Sequence, residues 1–133
     1  MDAATRSTRL RALVVDTAAL IENVRLDAFA DELVTVPEVL AEVRNEVARR
    51  QMLVQPQEIK TRQPSSEAVA AVTEFAKKTG DFASLSAVDL RVLALTYMLE
   101  VEYSNGETAH LNKEPKTVRR FQSTYCLCVC VCV

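Results

Sequence analysis

At 133 residues the chain has room for one domain with a two- or three-layer core and a short tail, but not for a second domain. A net charge of -2 and a pI near 5.5 exclude capture of polyanions by bulk charge, and 5% aromatic content without tryptophan argues against a platform on which several bases stack. No stretch is long and apolar enough to span a bilayer, and residues 1–11 carry arginines without a following apolar run, so an intracellular soluble protein is expected.

In chain order, "ALVVD" (12–16) is a short apolar run closed by a carboxylate, and it leads into "TAALIENV". That pattern reads as a buried strand followed by a helix. "ELVTV" (32–36) is a second β-branched run, and it hands over to "PEVLAEVRNEVARR" (37–50). Pro37 suits a first helical position, and Val39, Leu40, Val43 and Val47 form one stripe. "MLVQP" (52–56) is read as a third strand. "SSEAVAAVTEFAKKTG" (65–80) has helical spacing, a basic last turn and a terminal glycine. The last helix lies in "SLSAVDLRVLALTYMLEVE" (84–102), with Ser86 as N-cap, Asp89 at the third position, and apolar residues on nearly every side. Strands alternating with helices predict an α/β fold, a sandwich around a parallel sheet. Residues 104–120 are polar, with Gly106 and Pro115, and read as a linker or surface loop.

The single histidine, His110, falls in that polar stretch, and all four cysteines fall in "CLCVCVCV" (126–133). Cysteine–histidine and serine–histidine–acid chemistry would both hang on that one residue. Two glycines in the whole chain leave no glycine-rich phosphate loop. Carboxylate chemistry remains. Asp16 closes a strand, and open parallel sheets bind ligands at the carboxyl ends of their strands. A second acid from the 37–50 helix and a third near the start of the last helix would complete an oxygen-ligand set for a hard divalent ion. Each acid also has an ordinary explanation: Asp16 as strand terminator or cap, and Asp89 as partner of Ser86 in a capping box. On spacing alone Glu42 and Glu46 are equal candidates for the second acid, and Glu38 and Asp81 stay open.

"LVVDTAALI", "TVPEVLAEVRNEVARR" and "VTEFAKKTGDFASLSAVDLRVLALTYMLEVE" closely resemble the PIN-domain endoribonucleases of the Nin-one-binding type, which trim the precursor of small-subunit ribosomal RNA. The resemblance covers residues 12–103 and continues weakly through "HLNKEPKTV". It implies a three-layer α/β/α sandwich with a central parallel sheet and Mg²⁺- or Mn²⁺-dependent hydrolysis of single-stranded RNA. Carried onto matching positions, the metal-holding catalytic acids are Asp16, Glu42 and Asp89. Thr17 and Ser86 are then supporting residues, and Arg49, Arg50, Lys77 and Lys78 are candidates for phosphate contact. The implied setting is the pre-ribosomal particle with its assembly proteins, in nucleus and cytoplasm.

The family's fourth acid follows a charged insertion and is in turn followed by further sheet and a zinc ribbon. Here residues 121–133 run instead into a cysteine–valine alternation, as translation of a thymine–guanine repeat would produce. The expected organisation is a flexible 1–11, an incomplete PIN-like domain at 12–103 lacking its C-terminal strand, a charged linker at 104–120 and a low-complexity tail. Cysteines two apart, with no turn between them, do not make a tetrahedral zinc site, so none is expected. With three acids rather than four, feeble cleavage or none is expected, and the alternative is a non-catalytic RNA- or pre-ribosome-binding module of the same fold.

Overall fold

The computed structural model describes residues 10–21, 25–43, 46–54, 57–109, 111, 113 and 114. His110, about half of the expected linker and the whole cysteine tail lie outside the described residues, as do residues 1–9. Three strands form one parallel sheet in the order β1 (Leu10–Val14), β2 (Ala30–Thr35), β3 (Ile59–Thr61). In β2, the central strand, Leu33, Val34 and Thr35 are all buried, as is the following Val36. Because successive side chains point to opposite faces, a run of this kind means that both faces are covered. Helices flank the sheet, as expected of an α/β sandwich.

Between β1 and β2 the chain forms α1 (Thr17–Ile21) and a 3-10 turn at Leu26–Ala28. Between β2 and β3 it forms α2 (Pro37–Glu42) and α3 (Glu46–Val54). After β3 come α4 (Ser66–Thr79) and α5 (Ala87–Tyr103). The core joins Leu13, Val14 and Val15 of the first strand region to Leu33, Val34 and Val36 of the second. Leu20, Leu26, Val39 and Val43 close it on the connections, and Val92, Leu95 and Leu99 close it from α5. Helix α4 packs along α5 and buries Ala68 and Ala76, small residues that allow close approach of two helices.

Two expectations are corrected. The helix expected over 37–50 is two helices, because Val43 leaves helical geometry at φ -70° and ψ 81°. The burial of Val43 explains the break: turning the chain there keeps its side chain in the core. "MLVQP" is not the third strand. Met52, Leu53 and Val54 end α3, and the strand is Ile59–Thr61. A short apolar run suits either a strand or a helix end, and Leu53 and Val54 are 86% and 81% exposed, so burial in a sheet does not account for their hydrophobicity.

The caps of the later helices follow the sequence pattern. The Ser65 hydroxyl accepts from the Ala68 amide at 3.2 Å and starts α4. The helix stops at Gly80, which has φ +82°, while the Gly80 amide donates to the Lys77 carbonyl and the Asp81 amide to the Ala76 carbonyl. These two bonds form a Schellman motif, and its left-handed residue favours glycine. Among the described residues beyond its two chain neighbours, no atom stands within 4 Å of a Cβ added at Gly80, so the cost of Gly80→Ala is conformational. Urea unfolding is expected to register a loss of about 1–2 kcal/mol for this variant.

Candidate active site

The site begins where β1 ends. The Val15 amide donates to the Val34 carbonyl at 2.9 Å, and the wholly buried Thr35 hydroxyl donates to the Val15 carbonyl at 2.6 Å. A buried side-chain bond of this kind contributes on the order of 1 kcal/mol, and leaving its acceptor unpaired would cost more. It fixes the backbone immediately before Asp16. Asp16 is half-buried, and its carbonyl accepts from the Leu20 amide at 3.3 Å, which places it at the N-cap of α1. It therefore stands at the carboxyl edge of the sheet, the edge at which parallel sheets bind ligands.

Glu42 is the exposed last residue of α2, and its Oε2 accepts from the Thr17 hydroxyl at 3.3 Å. Thr17 is covalently next to Asp16, so this bond ties the Glu42 carboxylate to the neighbour of Asp16. The break at Val43 puts Glu42 and Glu46, equal on spacing, on different helices. Glu46 opens a separate helix and pairs with Arg50 at 2.8 Å on the surface.

Ser86 and Asp89 form the expected reciprocal cap of α5: the Ser86 amide donates to Asp89 Oδ2 at 2.8 Å and the Asp89 amide to the Ser86 hydroxyl at 3.1 Å. The cap uses one carboxylate oxygen and leaves the other uncommitted to it. Asp81 is exposed and leads into a 3-10 turn at Phe82–Ser84, with its carbonyl accepting from the Ser84 amide and hydroxyl.

One residue pair was not foreseen. Arg91 Nε lies 3.0 Å from Glu38 Oε1, joining α5 to α2 at ion-pair distance but out of line for a hydrogen bond, and Glu38 Oε2 is buried without a hydrogen-bond partner among the described residues. The sequence did carry a signal: Arg91 is the only basic residue in α5, and a cation in so apolar a helix calls for a counter-charge.

Together these contacts make one rim. Thr17 with Glu42 ties α1 to α2, and Glu38 with Arg91 ties α2 to α5, two residues beyond Asp89. Among the described residues, however, no three His, Cys, Asp or Glu side chains are gathered closely enough to hold a metal ion. The rim thus brings the elements of Asp16 and Glu42 into contact and leaves Asp89 turned into its helix cap. In donor chemistry the residues fit a hard divalent ion, because carboxylate and hydroxyl oxygens are what such ions take.

Of the candidate phosphate contacts, Arg49 is exposed, and Arg50 is paired with Glu46. Lys78 lies 3.5 Å from Glu74 and 3.6 Å from Glu114, and the Lys77 ammonium lies 5.2 Å from the centroid of the Phe82 ring. Exposed pairs of this sort contribute little, so a phosphate can compete for either cation.

The family model for the PIN domain of ribonuclease matches residues 13–99. The RNA-binding protein NOB1 of Rattus norvegicus is 43% identical over 107 residues, covering 80% of this chain and 26% of that protein. The 20S-pre-rRNA D-site endonuclease nob1 of Schizosaccharomyces pombe is 38% identical over 112 residues, covering 77% of this chain and 29% of that protein. The Endoribonuclease Nob1 of Pyrococcus abyssi is 36% identical over 92 residues, covering 68% and 54% respectively. The chain therefore spans about a quarter of the length of the first two relatives. Its matched segment runs from the second residue of the expected first strand to the last buried leucine of α5, and it includes all three candidate acids. On the family match and these identities alike, the chain belongs to the PIN-domain ribonuclease family.

Proposed function

We propose that this chain carries the RNA-cutting centre of an endonuclease of small-subunit ribosomal RNA maturation, with Asp16, Glu42 and Asp89 as oxygen ligands for Mg²⁺ or Mn²⁺. The observation that supports this reading is the Thr17–Glu42 hydrogen bond, which joins Glu42 to the residue next to Asp16 at the carboxyl edge of the sheet. When bound, the ion would orient a water and offset the negative charge that builds on the phosphoryl oxygens. Asp16 and Glu42 hold the rim of that site. Thr17 fixes the direction of the Glu42 carboxylate, and Ser86 orders the first turn of α5 so that Asp89 is kept at its position. Arg49, Arg50, Lys77 and Lys78 are the cations that would draw in a phosphate backbone.

The relatives' names, which include a 20S-pre-rRNA endonuclease and an RNA-binding protein, support precursor ribosomal RNA as the substrate class, and the family resemblance implies its single-stranded form. The same reading places the chain in the pre-ribosomal particle, among its assembly proteins, in nucleus and cytoplasm. No helix among the described residues is long and apolar enough to cross a membrane.

A second reading has an observation in its favour. Asp89 is engaged as a capping residue and Asp16 sits at an N-cap, both ordinary structural roles. On that reading the chain binds RNA or the pre-ribosome without cutting it. The two readings separate in one assay: purified chain with single-stranded RNA spanning the end of the small-subunit sequence, with and without Mn²⁺. Manganese-dependent cleavage that fails in Asp16→Asn supports the nuclease. Binding without cleavage, unchanged in Asp16→Asn, supports the second reading.

A further inference from the structure

The Schellman motif at Gly80 turns the chain sharply out of α4 and into the 3-10 turn at Phe82–Ser84, which the Ser84 amide and hydroxyl close onto the Asp81 carbonyl at 2.9 Å and 2.8 Å. This braced turn presents Phe82 with its side chain 40% exposed. A lone exposed aromatic is commonplace. Phe82 differs in having the Lys77 ammonium 5.2 Å from its ring centroid, so that an exposed π surface and a cation share one small patch. Sites for single-stranded nucleic acid combine these two groups, the ring taking a base and the cation its phosphate.

The patch is also close to the proposed centre. Ser86 is four positions after Phe82, at most about 14 Å of chain, and less here because part of it is a 3-10 turn. The Ser86 amide is itself 2.8 Å from the Asp89 carboxylate. A nucleotide resting on Phe82 would therefore be a near neighbour of any phosphate held at the Asp89 carboxylate. Among the described residues, the other exposed phenylalanine makes an internal contrast. Phe29 leads into the amino end of β2, where its carbonyl accepts from the Leu10 amide at 3.0 Å, at the edge of the sheet opposite Asp16.

We propose that Phe82 is a base-stacking residue, with Lys77 beside it for the attached phosphate, and that it seats a nucleotide of single-stranded RNA near Asp89, at the start of α5. The proposal rests on the reading of this chain as an RNA-binding PIN module and adds to it a residue that grips the substrate through its base. A single ring suits a chain poor in aromatics: one base is stacked, and the rest of the strand is held by charge. Stacking tolerates any base, so the ring contributes grip and register rather than sequence choice.

The chain contains no tryptophan, so Phe82→Trp places a single tryptophan at the patch, whose emission can be excited selectively over that of the three tyrosines. Titrating this variant with an oligouridylate of about 12 nucleotides is expected to quench its emission saturably. In anisotropy titrations with the same labelled oligonucleotide, Phe82→Ala is expected to weaken binding by roughly 5- to 150-fold, whereas Phe29→Ala is expected to leave it unchanged. Binding by the unaltered chain, with no quenching in Phe82→Trp and no loss in Phe82→Ala, would overturn the proposal and leave the RNA-binding reading in place. Failure of the unaltered chain to bind the oligonucleotide would overturn that reading, and the proposal with it.

Discussion

Leu95→Ala is expected to lower the free energy of unfolding by about 2–5 kcal/mol. Leu95 is wholly buried in the middle of α5, in one cluster with Val92 and Leu99 of its own helix and with Leu13, Leu33 and Val34 of the sheet. Truncation there loses the transfer energy of the removed carbons and leaves a cavity that a close-packed interior refills only partly. Since small domains are stable by only about 5–15 kcal/mol, the variant would lose a large share of its stability. Leu53→Ala is the matching control: Leu53 is 86% exposed, so its loss should fall within about 0.5 kcal/mol of zero. Urea midpoints of the two variants check both values.

Asp16→Asn is the second large effect, and it falls on chemistry rather than on folding. Asparagine keeps the size of the side chain and an oxygen acceptor but removes the negative charge that a hard cation requires. Metal ions supply several kcal/mol of transition-state stabilisation, and each 1.36 kcal/mol is tenfold in rate, so whatever manganese-dependent cleavage the unaltered chain shows should fall by about 100-fold or more. The backbone there is held by the Thr35 hydroxyl and the Val34 carbonyl, neither of which the substitution touches, so the unfolding midpoint should barely move. Asp89→Asn should behave similarly, because the amide oxygen can still accept from the Ser86 N–H and preserve the cap. Glu46→Gln should retain activity, since Glu46 lies on a separate helix in a surface pair with Arg50.

Local signals carried much of the architecture. Ser65, Gly80 and the Ser86–Asp89 box set the ends of the last two helices where the spacing placed them, because caps are short-range interactions among neighbours. The second strand was legible from its β-branched run. The third was not. Ile59–Thr61 is a three-residue strand with only one apolar side chain, and its pairing with Leu33–Thr35 is a non-local fact that its own sequence barely encodes. The break after Glu42 was missed for a related reason: no proline or glycine stands at Val43, and burial of that side chain redirects the chain.

At the candidate site, Asp16 was legible because a carboxylate closing an apolar run is conspicuous. The spacing of acids within residues 37–50 could not distinguish Glu42 from Glu46, and the family resemblance pointed to Glu42. The geometry adds a physical difference between them, the Thr17 bond to one and the Arg50 pair to the other. Glu38 with Arg91 joins two helices far apart in sequence, so only the oddity of a lone arginine in an apolar helix hinted at it.

The central claim is that the rim joining Asp16 to Glu42 binds a divalent cation, and Mn²⁺ titration followed by electron paramagnetic resonance of the free ion tests it most directly. A protein that loses one ligand of such a site should bind at least about 10-fold more weakly, as even loss of a supporting hydrogen bond costs that much. The expected result is saturable binding by the unaltered chain, weakened at least that far in Asp16→Asn and in Glu42→Gln and unchanged in Glu46→Gln. Equal Mn²⁺ affinity in the unaltered chain, Asp16→Asn and Glu42→Gln would contradict the account.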